Sequence, residues 1–304
     1  MKLAVEFPSV AFREGSRAVQ QMARAIEEIG FDELAVFDHV VMGYPTDSRS
    51  APIYPPQMPV LEALMTLAFA AAVTERISLS TEVLVLPQRQ PVLVAKQVST
   101  LDTLSDGRVR LGVGVGWQES EYDALEESYN NRGRRMDEAI ELLRAYWGES
   151  QVDFAGEHYT STAMAMEPKP PQGAKLPIWV GGTSRAALRR VGRLGDGWMG
   201  SARSNDEFVK KSMGEIRRHA EEAGRDPDQI GWQLMLAPPP SDAAGKTFYQ
   251  DHDRVIRRAE EVRDLGVDWT GVNATAIFQA GARSVSAMID ELAKLHGRLR
   301  EAVG

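Results

Sequence analysis

The chain has 304 residues, with 35 Lys plus Arg against 43 Asp plus Glu, a formal net charge of −8 and no cysteine. Hydrophobic residues at 43% and charged residues at 26% are ordinary for a folded soluble chain, which argues against disorder. The acidic balance supplies no basic footprint for nucleic acid or an anionic membrane, and the missing cysteines exclude disulfides, thiolate metal sites, iron–sulfur clusters and Cys nucleophiles.

From the amino terminus onward, short apolar runs alternate with amphipathic stretches. The spacing predicts strands over Leu3–Phe7, Glu33–Phe37, Ile77–Leu86, Val109–Val115, Pro177–Val180, Gly197–Met199, Gly231–Leu236 and Trp269–Val272. Helical periodicity fills the gaps, at Ser16–Ile29, Val60–Val73, Val92–Leu104, Arg134–Trp147, Ser184–Leu194, Asp206–Ala223, Asp253–Leu265 and Ser284–Ala302. The first helix is the clearest: Ser16 can cap it, Val19, Met22, Ala23, Ile26 and Ile29 fall at helical spacing, and Gly30 stands where a C-cap glycine belongs. A small hairpin is expected at Gln151–Thr160, around Gly156.

Eight strand–helix units match the α/β arithmetic of a (β/α)8 TIM barrel, and residues 1–304 are read as one domain. An open doubly wound sheet would carry a glycine turn after its first strand, whereas Phe7-Pro-Ser-Val-Ala-Phe12 holds none. The Pro-rich stretches Gly43–Pro59 and Ala237–Lys246 follow strands two and seven, as insertion loops at the C-terminal face where barrel sites are built. No long apolar core follows Lys2, and the run from Leu64 to Val73 is too short for a bilayer, so a cytoplasmic protein with no membrane partner is expected. Asn273-Ala-Thr275 matches a glycosylation sequon and is read as chance.

Asp38-His39 ends the second strand at the barrel rim, where an imidazole can move a proton near neutral pH or bond a ring atom; the plainer reading is a rim histidine bonded to a carboxylate. His158, His219, His252 and His296 fall in a hairpin, on helices or before one, and no two have metal-ligand spacing, so no metal is expected. In Leu111-Gly-Val-Gly-Val-Gly-Trp117 the glycines are two apart and lie on one face of a strand, letting a flat ring or a neighbouring side chain approach the backbone or simply fitting a crowded barrel interior. Pro177-Ile-Trp-Val-Gly-Gly-Thr-Ser-Arg185 runs from a strand into a helix start, so its amides and hydroxyls would converge on an anion, or simply form a capped turn. Glu6 and Glu82 interrupt apolar strands, and a carboxylate inside a barrel is either an acid/base group or half of a buried pair. Arg132, Arg134 and Arg135 oppose the dipole of the helix they open, which fits an anionic partner or a solvated face. No lysine stands at the C-terminal end of a predicted strand, which disfavours a Schiff-base enzyme.

Phe37-Asp-His-Val-Val41, Val83-Leu-Val-Leu-Pro-Gln-Arg-Gln-Pro-Val92, Thr100-Leu-Asp-Thr-Leu-Ser-Asp-Gly-Arg108, Gly112-Val-Gly-Val-Gly-Trp117, Val180-Gly-Gly-Thr-Ser184 and Gly195-Asp-Gly-Trp198 together resemble the bacterial luciferase-like superfamily, in its coenzyme F420-dependent branch. The resemblance runs from residue 1 to about residue 200. It implies a TIM barrel, usually homodimeric, that holds a reduced flavin or deazaflavin at the C-terminal mouth. Asp38 and His39 would touch the ring, and a non-prolyl cis peptide would fall near Val83-Leu84. Val115, Gly116 and Trp117 would lie along the cofactor, and Val180, Gly181, Gly182, Thr183 and Ser184 would hold its phosphate. The chain departs from the family pattern at Glu82, where relatives commonly have glycine, and at Glu6.

The expected activity is hydride transfer between F420 and an activated C=C, C=N or carbonyl of a small-molecule substrate. His39, Glu6 and Glu82 are the catalytic candidates, under lid loops carrying Tyr44, Tyr54, Phe248 and Tyr249. The alternatives are an FMN-dependent monooxygenase and a non-catalytic flavin binder of the same fold.

Overall fold

A computed structural model describes residues 1–238, 242 and 244–304. Parallel strands β1 (Lys2–Glu6), β2 (Glu33–Val36), β3 (Ser78–Thr81), β4 (Leu84–Val85) and β5 (Val109–Gly114) form one side of a barrel. After an antiparallel hairpin of β6 (Val152–Ala155) and β7 (Thr160–Met164), the barrel continues through β8 (Ile178–Gly181), β9 (Gly197–Gly200), β10 (Gly231–Met235) and β11 (Trp269–Asn273). The strand order β3-β2-β1-β11-β10-β9-β8-β5-β4, with β3 also pairing β5, closes the cylinder, so the fold is a (β/α)8 TIM barrel.

Outside it run α1 (Ser16–Ile29), α2 (Ala63–Ala71), α3 (Pro91–Leu104), α4 (Glu119–Ala124), α5 (Arg132–Gly148), α6 (Arg185–Leu194), α7 (Asp206–Glu222), α8 (His252–Asp264), α9 (Ala274–Ala280) and α10 (Val285–Val303). Every expected helix is found, α1 ending at Gly30 in the left-handed conformation with its amide on the Glu27 carbonyl at 3.1 Å. Two short helices, α4 and α9, had no periodic pattern to announce them because fewer than two full turns leave no face to read.

The third predicted strand is broken. Between the pairs Ser80↔Arg110 and Leu84↔Val113 the outer strand spends one more residue than β5, a bulge whose cis peptide lies at Glu82–Val83, one bond earlier than the resemblance implied. In a regular strand neighbouring side chains face opposite ways, but here Glu82 and Val83 both line the barrel mouth. Glycines of β5 and β8 make room for this bulge: a Cβ on Gly114 would sit 2.5 Å from Val83 Cγ2, and one on Gly181 2.9 Å from Val83 Cγ1. The glycine face therefore receives a neighbouring side chain.

Aspartates stitch the amino-terminal end of the barrel. Asp32, Asp196 and Asp268 each stand one residue before a strand and accept the amide of the adjacent strand, from Leu3 at 2.7 Å, Ile178 at 2.7 Å and Trp232 at 2.9 Å. Within the Thr100–Arg108 motif, Asp102 accepts from Val109 N and Gln172, while Arg108 donates to carbonyls of Ala71, Thr74, Ile77 and Ser105. That motif is structural. So are two of the three arginines at the start of α5: buried Arg135 binds Asn131, Ser128 and Glu127, and Arg132 lies over Tyr129 at 3.5 Å. At the hairpin Glu138, Glu157 and His158 come within 4.8 Å of one another, a grouping that spacing did not show, but Glu138 spends its oxygens on the amides of residues 157, 158 and 159.

A polar chain runs up the barrel interior. Arg110 donates to Glu33, with Nε to Oε2 at 2.7 Å, and its guanidinium lies between the rings of Trp179 and Trp269, at 4.1 and 4.4 Å from their centroids. Its Nη2 also bonds Gln233 Oε1, and Gln233 Nε2 donates to Glu82 Oε1 at 3.0 Å. Arg110→Ala would leave Glu33 buried without its counter-charge, at an expected cost of about 3–5 kcal/mol in urea unfolding. A loss below about 1 kcal/mol, the range of exposed pairs, would show that the pair does not hold the barrel.

Candidate active site

The C-terminal ends of the strands surround a cavity of about 950 Å³, a size suited to a cofactor and a small substrate. Its wall is apolar and aromatic, with Phe37, Tyr54, Val83, Val85, Val115, Trp117, Phe248 and Tyr249. Its ionisable and amide groups near the strand ends are Glu6, Asp38, His39, Glu82 and Asn273; Arg13, Gln57, Ser201, Arg203, Thr275 and Gln279 complete the polar lining with the tyrosines.

Of the residues expected at the site, Glu6, Asp38, His39, Glu82, Val83, Val115, Gly116, Trp117, Gly181 and Gly182 line the cavity. Leu84 and Val180 do not. Both are fully buried in the hydrophobic core, because strand alternation turns them outward while Val83 and Gly181 face the mouth. Thr183 and Ser184 are exposed beyond the lining, where Ser184 Oγ accepts from Ala187 N at 3.2 Å and caps α6. The remaining first-turn amides of α6 have no acceptor within the helix, so an anion can still bond there. Arg185 and Arg189 line a separate surface groove with Lys211 and Arg218.

His39 is a member of a couple. Its Nδ1 lies 3.1 Å from Glu121 Oε2, and Glu121 Oε1 accepts the amides of Val40 at 2.5 Å and Val41 at 3.3 Å. Burial alone would raise the Glu121 carboxyl; the bonds from His39 and the Val40 amide outweigh it and hold the group below the usual carboxylate range. An ionised Glu121 accepts the hydrogen bond that Nδ1–H donates, which leaves Nε2 as the ring's free nitrogen. Glu121 was missed in the sequence because α4, which carries it, is a helix of six residues. Trp117 and Tyr54 close on the imidazole edgewise, with centroids at 5.4 and 5.9 Å.

Asp38 does not act as a free acid. Its carboxylate grips Arg89 through two contacts of 2.8 Å and accepts Val85 N at 3.0 Å, tying the end of β2 to the strand after the bulge. Asn273, read as a chance sequon, is a site residue: its Oδ1 caps α9 by accepting from Ala276 N at 2.7 Å, which forces Nδ2 to donate to Glu6 Oε1 at 2.8 Å. Its place at the end of the last strand was the available signal.

Burial pushes Glu6 up to about 7, against the lowering bond from Asn273, and pushes Glu82 up to about 8 with help from the charges of Glu6 and Glu33. The expected lid is different from its description in the sequence. Tyr44 is exposed and outside the cavity, Tyr54 lines it, and Phe248 and Tyr249 are built into the wall, Tyr249 by donating to Leu236 O at 2.7 Å. Pro239, Pro240, Ser241 and Ala243 of that loop lie outside the described residues.

A family model described as luciferase-like monooxygenase matches residues 7–266. The chain belongs to this family. Its relatives include an F420-dependent glucose-6-phosphate dehydrogenase of Nocardia farcinica, 32% identical over 77% of this chain and 68% of that protein. An FMNH2-dependent dimethylsulfone monooxygenase of Pseudomonas putida is 28% identical over 66% of this chain and 53% of that one. Among solved structures, an F420-dependent secondary alcohol dehydrogenase in complex with an F420–acetone adduct superposes with a TM-score of 0.78 at 20% identity, covering 98% of this chain and 99% of that one, which shows the shared fold. Luciferase-like relatives thus use either cofactor. Among the described residues, no helix is long and apolar enough to cross a membrane.

The two raised carboxyls have a consequence for stability. Unfolded glutamate titrates near 4.5, so between that value and about 7 to 8 the folded chain binds more protons, and stability falls as pH rises through this window. Glu6→Gln/Glu82→Gln removes both titrations. The melting temperature of the double variant relative to the parent should therefore be higher at about pH 8.5 than at about pH 5, and an equal offset at the two pH values would sink the burial account.

Proposed function

We propose that this chain is an F420-dependent oxidoreductase that transfers a hydride between the deazaflavin and an activated C=C, C=N or carbonyl of a small organic substrate. The observation that carries the reading is His39, held by Glu121 with one ring nitrogen free, in the wall of a largely apolar cavity at the barrel mouth. The 32% identical F420-dependent relative supports the deazaflavin. The fit is good on this chain's own geometry: a cavity of about 950 Å³, apolar walls at Val83, Val85 and Val115, and exposed helix-start amides beyond Gly181 and Gly182 suit a flat ring with an anionic tail. The bound cofactor supplies the hydride chemistry.

In this proposal all of residues 1–304 serve one site. Val115, Gly116 and Trp117 line the ring, with Asp38 in the same cavity wall holding Val85 and Arg89; Thr183, Ser184 and the first turn of α6 receive the phosphate. His39 Nε2 holds or moves the proton, with Glu121 keeping the imidazole in one tautomer and orientation. Phe248, Tyr249 and Tyr54 keep water from the reacting atoms. The second reading, an FMN-dependent monooxygenase that uses oxygen, is favoured by the FMNH2-dependent relative. Side-by-side fluorescence titrations with F420 and FMN decide between them: tight binding of F420 alone is expected, and tight binding of FMN alone would hand the function to the second reading. In the F420 assay His39→Ala should lower turnover by about a hundredfold with the fold intact by circular dichroism, and unchanged turnover would remove His39 from the chemistry.

A homodimer belongs to the same proposal. On α2 and its C-cap the outward residues Met65, Ala68, Phe69 and Ala72 recur at helical spacing without a charge among them, and exposed Leu93 lies on the neighbouring α3. A helix apolar on every side is ordinarily buried, and a second copy is the occupant that would bury this one. Light scattering should give twice the chain mass, falling to one in Met65→Asp/Phe69→Asp. A monomeric parent protein would overturn the dimer.

A further inference from the structure

The functional reading leaves open what the substrate is, and the floor of the cavity bears on that. Glu6 and Glu82 are each held at one oxygen by an amide whose polarity is fixed elsewhere. Gln233 Oε1 is spent on Arg110, so Nε2 must face Glu82 Oε1; Asn273 Oδ1 is spent on the α9 amide, so Nδ2 must face Glu6 Oε1. Neither amide can turn to neutralise the second oxygen. Glu82 Oε2 is enclosed with no hydrogen-bond partner, although Glu82 lines the cavity. Arg110, the nearest internal cation along this chain of bonds, already serves Glu33 and Gln233. A buried carboxyl oxygen without a donor is costly, and such groups in a native fold usually have a partner not yet in place.

We infer that Glu6 and Glu82 form the receptor for a cationic nitrogen, so that the substrate is an organic ammonium or iminium ion with a compact apolar body. The surrounding walls match that body and that charge: Tyr54, Trp117, Phe37, Phe248 and Tyr249 present ring surface, which favours cations as well as hydrocarbon. The inference rests on the hydride-transfer reading above. In the reducing direction the iminium carbon accepts the hydride, the C=N π pair passes to nitrogen as a lone pair, and the reduced deazaflavin, having given up two electrons, is left oxidised. Binding of the cation displaces the proton of one carboxyl of the pair, whose charge then pairs with it; the neutral amine formed takes its proton from the other, still protonated carboxyl and leaves as the ammonium ion.

The test is calorimetric titration of the purified protein, alone and with oxidised F420, using n-butylammonium, benzylammonium and tryptammonium chlorides, each beside the alcohol of the same skeleton. At least one ammonium ion should bind about tenfold or more tightly than its alcohol, and Glu82→Gln and Glu6→Gln, which keep shape and cannot ionise when the cation binds, should each erase that preference. Circular dichroism and F420 binding serve as controls that the variants fold. The inference is overturned if every alcohol binds as well as its ammonium partner, or if the preference survives both substitutions. F420 binding without an ammonium preference overturns the substrate class and spares the function; an ammonium preference in a protein that binds neither F420 nor FMN does the reverse.

Discussion

A hydrogen-bonded chain along the barrel interior organises both stability and chemistry here. A TIM barrel interior is normally filled by layers of apolar side chains, whereas this one holds Glu33, Arg110 and Gln233 beneath two further carboxyls. Such groups are costly to bury unless they are bonded, and along this chain each bond present can be made in one direction only. Arg110 can only donate, so Gln233 must accept on one end and donate on the other; Glu82 is thereby given an orientation from below. The two indoles against Arg110 supply ring faces where its remaining nitrogen, Nη1, has no acceptor.

The bulge between β3 and β4 is the second constraint. By spending one extra residue it turns Glu82 and Val83 to the same side, and the glycines of β5 and β8 are the space into which Val83 fits. Without it only one of the two residues would reach the mouth. Asp38, bonded to Val85 just past the bulge and to Arg89, locks the same strand to β2, so the residue before His39 serves as a brace while His39 faces the cavity. A device that looks like a pair of active-site residues in the sequence divides its labour between architecture and chemistry.

The site therefore has two acid–base centres of different character. His39 and Glu121 form a hydrogen-bonded couple whose carboxylate stays ionised because donors converge on it. Glu6 and Glu82 are carboxyls starved of donors, and burial keeps them protonated toward neutral pH. Donor count, rather than residue type, separates the two.

The period of the hydrophobic pattern was enough to show the eight strand–helix units, because each strand or helix buries one face and repeats accordingly. The ordered motifs pointed to the family, and the position of Asp38-His39 at a strand end pointed to the rim. Short elements and partners were not legible: α4 is too brief to carry a period, so no pattern marked Glu121, and the only signal at Asn273 was its place at the end of the last strand. Leu84 and Val180 were placed at the site because a motif names consecutive residues, while a strand shows only alternate ones to any one side. The sequence by itself determined the barrel, since periodicity is a local property of the chain. Only the tertiary structure decided which carboxyl is ionised, which is starved and which merely braces a strand, because those outcomes depend on donors brought from residues as far apart as Glu6 and Asn273 or Glu82 and Gln233.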